Sequence, residues 1–312
     1  MKIAALAGGV GGSKLLLGLY RVMDPKDLTI IVNTGDDLVM HGLHVSPDPD
    51  ILTYTLAGVV NAETGWGISG ETFGVLEGLE RYGRPVWFKL GDRDLATHLH
   101  RTALIRDGAT LSLAIESIRT ALGVRAKILP MSDDPVPTIL DTDEGRMHLQ
   151  DYLVRRRCEP RLNAIAFEGA ERARPAPGVI EAIEKADAIV ISPSNPLISI
   201  GPILAVAGVR VALRKRRDRV VAVCPLVGGK SLKGPSDKMM AELGHEVSAA
   251  GVASLYRDIC ASLIIDHADE AASAEIEALG MRAVVRPTVM RSVEEKERLA
   301  RQVLALVMRP TG

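Results

Sequence analysis

Short apolar runs alternate with amphipathic stretches along nearly the whole chain, and no other feature limits the possible folds so strongly. Lys2 to Leu6 reads as a strand, Ser13 to Arg21 as a helix and Leu28 to Val32 as the next strand. Helical patterns follow over Asp50 to Val59 and Glu71 to Arg81, then a strand at Val86 to Leu90 and helices over Leu95 to Arg106 and Leu111 to Leu122. Further on, Ala188 to Ile191, Val220 to Val223, Leu263 to Asp266 and Arg282 to Val285 read as strands separated by helices, the last helix covering roughly Val293 to Met308. This repetition predicts an α/β fold, a doubly wound, mostly parallel, Rossmann-like sheet with right-handed crossovers. Hydrophobic residues make up 47% of the chain but aromatics only 3%. The core must then be built from Val, Ile, Leu, Ala and Met, as suits strands buried on both faces.

The middle of the chain breaks the pattern. Ala126 to Leu129 has strand character and is closed by Pro130. Thr138 to Asp141 and Arg146 to His148 flank Thr142-Asp143-Glu144-Gly145, a turn of hairpin type. The segment from Lys127 to about Glu171 therefore reads as a partly antiparallel insertion. No composition shift, repeat or low-complexity linker divides the remainder, so 1–312 reads as one α/β domain with a lobe inserted at about 127–171.

Lys and Arg total 38 against 39 Asp and Glu, so no global basic field favours nucleic acid, and an anionic substrate needs a local site. The three cysteines, Cys158, Cys224 and Cys260, contain no Cys-x-x-Cys pair, which argues against a disulfide framework or a cysteine zinc site. No run approaches the roughly 18 apolar residues that span a bilayer. The N-terminal apolar stretch is too short for a signal sequence. A cytoplasmic protein without membrane or nucleic-acid partners is the expectation.

The first strand ends in Gly8-Gly9-Val10-Gly11-Gly12-Ser13-Lys14 and opens directly into a helix. Glycines let a backbone turn tightly and bring its N–H groups against a phosphate, the helix N-terminus adds a favourable dipole, and Lys14 adds a point charge. The run matches neither the P-loop nor the dinucleotide fingerprint, and a tight structural turn is the alternative. After the second strand come Asn33-Thr34-Gly35-Asp36-Asp37, His41-Gly42-Leu43-His44 and Ser46-Pro47-Asp48-Pro49-Asp50. Loops after neighbouring parallel strands open at one carboxyl edge, so these carboxylates face the glycine run. Asp36, Asp37, Asp48 and Asp50 suit Mg²⁺, which takes oxygen ligands and bridges carboxylates to phosphates, while Asp48 or Ser46 is also a good helix cap. His41 and His44 read as polar loop residues. Lys89 closes the expected third strand and is placed to hold an anion or an acceptor group, or is an exposed strand-end lysine. Ser194 and Asn195, in Ser192-Pro193-Ser194-Asn195-Pro196, offer groups for a base or ribose, although an Asn-Pro turn alone explains them. Gly228-Gly229-Lys230 and Lys233-Gly234-Pro235 form a second glycine- and lysine-rich loop.

Taken in order, several blocks resemble the 2-phospho-L-lactate transferase family of deazaflavin coenzyme F-420 biosynthesis. They are Gly8-Gly9-Val10-Gly11-Gly12, Asn33-Thr34-Gly35-Asp36-Asp37, Pro47-Asp48-Pro49-Asp50 and the run Leu90-Gly91-Asp92-Arg93-Asp94-Leu95-Ala96-Thr97-His98. Met131-Ser132-Asp133-Asp134-Pro135-Val136 and Ser192-Pro193-Ser194-Asn195-Pro196 complete the set. The resemblance implies a guanylylated three-carbon acid as donor, a deazaflavin riboside as acceptor, release of GMP, a need for Mg²⁺ and a homodimer. It places Asp50 and Lys89 against the deazaflavin; Lys89 stands where other members often carry Arg. Attack of a hydroxyl on a diphosphate requires charge neutralisation and in-line placement. The glycine run would bind phosphate, Asp36 and Asp50 are assigned to the metal, and Asp50 either orients or deprotonates the hydroxyl or ligates Mg²⁺. The competing expectations are another nucleotide-dependent phosphotransferase and a nucleotide-sensing regulator.

Overall fold

The computed structural model describes residues 1–307. Strand β1 (Ile3–Ala7) leads through the single residue Gly8 into α1 (Gly9–Val22), and β2 (Leu28–Val32) follows. A short hairpin, β3 (Leu38–Met40) and β4 (Leu43–Val45), precedes α2 (Pro47–Ala57). Three helices, α3 (Gly74–Arg81), α4 (Asp92–Arg106) and α5 (Leu111–Ala121), separate this hairpin region from β5 (Lys127–Pro130). Then come β6 (Thr138–Thr142), β7 (Gly145–His148) and β8 (Leu162–Phe167). The second half runs α6 (Val179–Lys185), β9 (Ala188–Ile191), α7 (Gly201–Ala205), α8 (Val209–Lys215) and β10 (Val220–Val223). Two-residue strands β11 (Leu226–Val227) and β12 (Lys230–Ser231) precede α9 (Ser236–Glu242) and α10 (Ala249–Tyr256). The chain continues with β13 (Ser262–Ile265), α11 (Ser273–Ala278), β14 (Arg282–Val285) and α12 (Val293–Val307).

Seven strands form one parallel sheet in the order β14-β13-β10-β9-β1-β2-β5. Successive residues of a strand point to opposite faces, and here both faces are apolar. Ala4 and Leu6 of β1 join a core with Val179, Ile183 and Ile203 on one side. Ile3, Ala5 and Ala7 join a second core with Leu15, Leu19 and Leu299 on the other. The second core needs a close approach of α1 and α12: a β-carbon at Gly18 would collide with the Lys296 carbonyl and lie 3.1 Å from Ala300. Strand order reverses between β1 and β9, and such a switch point opens a crevice outside the strands' carboxyl ends. The turns after β1, β2 and β9 meet there.

Several expectations shift. Val86 to Leu90 is not a strand; Trp87 and Phe88 stack edge to face at 5.7 Å and pack with Met40, Val45, Leu90 and Leu95 in a small local core. Lys89 therefore ends no sheet strand and is exposed. The antiparallel part is narrower than 127–171, because β5 pairs in parallel with β2 at the edge of the main sheet. It consists of β7-β6-β8, with the expected hairpin turn between Thr142 and Gly145. Its core residues Leu140, Leu149, Tyr152 and Leu162 pack with Ile198 and Met239 from the second half of the chain. The expected helix end at Met308 lies outside the described residues.

Candidate active site

At the end of β1 only Gly8 and Gly9 form the turn. Gly8 is extended and Gly9 has φ +67°, a left-handed conformation that favours glycine. Helix α1 starts at Gly9, four residues before the expected Ser13, so Val10 to Lys14 belong to its first turns. Neighbouring elements brace this turn. The Gly8 N–H donates to Ser194 Oγ at 3.1 Å, and that hydroxyl donates to the Gly8 carbonyl at 2.7 Å. The Gly9 N–H donates to Asp48 Oδ1 at 2.7 Å. A β-carbon at Gly11 would lie 2.5 Å from the Pro193 carbonyl, and one at Gly12 2.5 Å from Ser194 Oγ. Packing thus demands glycine at both. Ser13 Oγ donates back to the Val10 carbonyl at 2.9 Å. The N–H groups of a helix's first turn lack intrahelical acceptors, and Val10 and Gly11 line a cavity of about 610 Å³.

That cavity gathers most of the expected nucleotide residues: Gly8, Gly9, Val10, Gly11, Lys14, Ser194 and Asn195. Gly12 and Ser13 lie behind it as packing residues. Asn195 is chiefly a cap, its Oδ1 accepting from the Leu197 and Ile198 N–H groups at 2.9 and 3.3 Å. Asp36 and Asp48 form the cavity's acidic side. Asn33 Nδ2 donates to Asp48 Oδ2 at 2.9 Å, and Gln150 Nε2 donates to Asp36 Oδ2 at 3.1 Å. Burial, followed by the Asp48 and Asp37 charges, raises Asp36 well above the carboxylate range. Burial also pushes Asp48 up to about 6, against the hydrogen bonds from Asn33 and Gly9. Among the described residues neither carboxylate has a salt-bridge partner. Buried charges are normally paired or bound to metal, so this donor set fits a hard divalent cation such as Mg²⁺.

Asp50 sits elsewhere. Residues two apart on a helix point roughly 200° apart, which turns Asp50 away from Asp48. It accepts a hydrogen bond from Arg101, which is 0% exposed. Its other oxygen lies 3.6 Å from His98 Nδ1. Asp94 completes the cluster, 3.4 Å from His98 Nε2 and accepting from the Tyr54 hydroxyl at 2.6 Å. Burial raises Asp50, with Arg101 and His98 opposing. The ligand atoms of Asp50, Asp94 and His98 fall within 4.8 Å of one another, but Arg101 already supplies the cation there. Asp36 and Asp50, paired for the metal by the sequence reading, are therefore not brought together; Asp48 is the carboxylate beside Asp36. Lys89 lines neither this cavity nor the next.

A larger cavity, about 1080 Å³, opens on the other side of the 33–37 turn. Asn33 and Asp36 face the first cavity while Thr34 and Asp37 face the second. Its walls are Trp87, Met40, Ile105, Val136 and prolines 135, 137, 175 and 177. Asp37 is fixed by His44 Nε2 at 3.0 Å and the Ser46 hydroxyl at 2.7 Å. His41 and Gly42, both at positive φ, make the two-residue turn that brings His44 back to this position.

A doubly wound sheet with a glycine turn leading into a helix, a buried carboxylate pair and two adjoining cavities at its switch point defines a Rossmann-like α/β protein with its ligand crevice at the carboxyl edge of the strands. The family model described as 2-phospho-L-lactate transferase CofD matches residues 3–301. The chain belongs to this family of transferases of coenzyme F-420 biosynthesis. It is 44% identical to a phosphoenolpyruvate transferase of Streptomyces griseus, over 98% of each chain. It is 42% identical to a 2-phospho-L-lactate transferase of Methanothermobacter thermautotrophicus, again over 98% of each. A UPF0052-family protein from Bacillus halodurans shares the fold with a TM-score of 0.67 at 18% identity, covering 97% of this chain and 98% of that one. Among the described residues no single helix is long and apolar enough to cross a membrane.

Proposed function

We propose that this chain transfers a phosphorylated three-carbon acid from a guanosine diphosphate-linked donor to the terminal ribityl hydroxyl of a deazaflavin, releasing GMP. The observation that carries this reading is the pair of cavities sharing the 33–37 turn, one lined by the start of α1, Lys14, Asp36 and Asp48, the other broad and largely apolar. In this reading the donor's diphosphate lies against the Val10 and Gly11 N–H groups and Lys14, with Asp36 and Asp48 holding Mg²⁺. Bound there, Mg²⁺ supplies charge neutralisation for the diphosphate. The flat deazaflavin ring enters the second cavity beside Trp87, its ribityl chain directed past Asp37 toward the phosphate site. The hydroxyl oxygen forms a new bond to the acid-bearing phosphorus, the bridging oxygen leaves with GMP, and the hydroxyl proton passes to water. Asp50 stiffens the acceptor side through Arg101, which also donates to the His44 carbonyl at 3.2 Å. Lys89 is exposed and lines neither cavity, so the acceptor contact that the resemblance implies requires the deazaflavin to extend beyond the second cavity.

Relatives named for phosphoenolpyruvate and for 2-phospho-L-lactate are similar to this chain to nearly the same degree, 44% and 42%. A donor series therefore assigns the acid. The reading, including the homodimer that the resemblance implies, is tested by chromatography of GMP and by light scattering of the assembly. GMP should appear only when deazaflavin, Mg²⁺ and a guanylylated acid are all present. Tight nucleotide binding without turnover would instead identify a nucleotide-sensing regulator.

A further inference from the structure

Besides Asp36 and Asp48, the first cavity carries three cations from distant parts of the chain: Lys14 of α1, Lys233 in the loop after β12 and Arg291 in the segment after β14. Among the described residues none of them forms a salt bridge. Lys233 Nζ donates to the Thr64 carbonyl at 2.5 Å, and a β-carbon at Gly65 would lie 3.2 Å from that amine and 2.9 Å from Val10 Cγ1. The ammonium group is thus held near the Val10 side chain of α1. Among the described residues its acceptor is a neutral carbonyl. Burial, followed by the Lys14 charge, lowers the Lys233 pKa, and the same two causes lower Lys296 behind Lys14.

The charges of the proposed donor match this arrangement. Asp36, Asp48 and one divalent cation cancel. The donor carries one negative charge on each phosphorus and one on the carboxylate of its acid. The helix start and Lys14 serve the two phosphates, which leaves a carboxylate on the ligand and two cations on the protein. We propose that Lys233 and Arg291 bind the carboxylate of the transferred acid, and so distinguish the loaded donor from a bare nucleoside diphosphate. The inference rests on the transferase reading above. It also gives a role to the second glycine- and lysine-rich loop, which that reading leaves unused.

The test is calorimetric titration of wild type, Lys233→Gln, Lys233→Arg and Arg291→Gln with two probes, GDP and guanosine diphosphate-linked lactate, in Mg²⁺. Gln keeps a donor for the Thr64 carbonyl but removes the charge, so the loop contact is retained. Loss of one charge-assisted hydrogen bond should weaken the loaded donor by at least about tenfold. GDP should change less than about threefold, because its phosphates lie elsewhere, and Lys233→Arg should retain the preference. Equal losses for both probes would show that these cations grip the diphosphate and would overturn the inference. So would a preference that survives in both Gln variants. A wild-type protein that makes product but shows no such ratio sinks this inference alone. One that binds neither probe sinks the transferase reading with it.

Discussion

Removing the charge of Asp48 should stabilise the metal-free protein. Asp48 is 6% exposed, and its carboxyl is pushed from 3.8 up to about 6. A shift of that size disfavours the ionised folded state by about 3 kcal/mol at pH 8, at 1.36 kcal/mol per unit. In Asp48→Asn the side-chain oxygen still accepts from the Gly9 N–H. The new amide faces the Asn33 amide, and the lost hydrogen bond costs about 1 kcal/mol. The net gain is about 2 kcal/mol, or roughly 3–5 °C in Tm for a chain of this size. The sign follows from a raised folded pKa. The favourable contribution of protonated Asp48 is fully present below its unfolded value of 3.8 and is lost as pH rises through about 6. By pH 5 the penalty on wild type is about halved, and the variant's net advantage falls below about 1 kcal/mol. Thermal melts of both proteins in chelator at pH 5 and pH 8 read this directly. Added Mg²⁺ should raise the wild-type Tm at pH 8 and leave the variant nearly unchanged. A variant less stable than wild type at pH 8 in chelator, or an advantage equal at both pH values, would refute the reasoning.

Arg101→Met leaves Asp50 buried without its partner and should cost about 3–5 kcal/mol in denaturant titrations; a loss under 1 kcal/mol would show that Asp50 is already neutral. Gly9→Ala places a β-carbon 4.0 Å from Asp48 Oδ1, an unstrained contact, but at φ +67°, so a loss of roughly 1–2 kcal/mol from backbone strain is expected in the same titration. Trp87→Ala should weaken deazaflavin binding roughly tenfold by fluorescence while leaving GDP affinity intact, if the ring stacks there; unchanged affinity would move the acceptor out of this cavity.

The sheet was legible because its strands are apolar on both faces, so β1, β2, β9 and β10 stand out as short runs between helices. The Thr142–Gly145 turn was equally plain, since its residues have a specific turn chemistry. The start of α1 was not. Four glycines in five positions argue against helix on propensity, and only Pro193 and Ser194, far along the chain, show why they are there. Val86 to Leu90 had the composition of a strand, but its aromatics pack into a local core with Met40, Val45 and Leu95 rather than forming a strand. The choice between Asp48 and Asp50 hinged on helix phase. With α2 starting at Pro47, Asp48 turns toward the glycine turn and Asp50 toward α4. Arg101, Gln150 and Arg291 carried no local signal, because topology alone brings them to the site, whereas Lys233 stood out only as part of a glycine- and lysine-rich loop.

The central claim is tested most directly by mass spectrometry of the reaction itself. Purified protein is incubated with deazaflavin riboside, Mg²⁺ and, in separate reactions, the guanylylated forms of phospholactate, phosphoenolpyruvate and phosphoglycerate. The account predicts a deazaflavin phosphodiester from one donor in preference to the others, with one GMP released for each product formed. GMP released without a phosphodiester, or no product from any donor by a protein that binds the nucleotide, would contradict it.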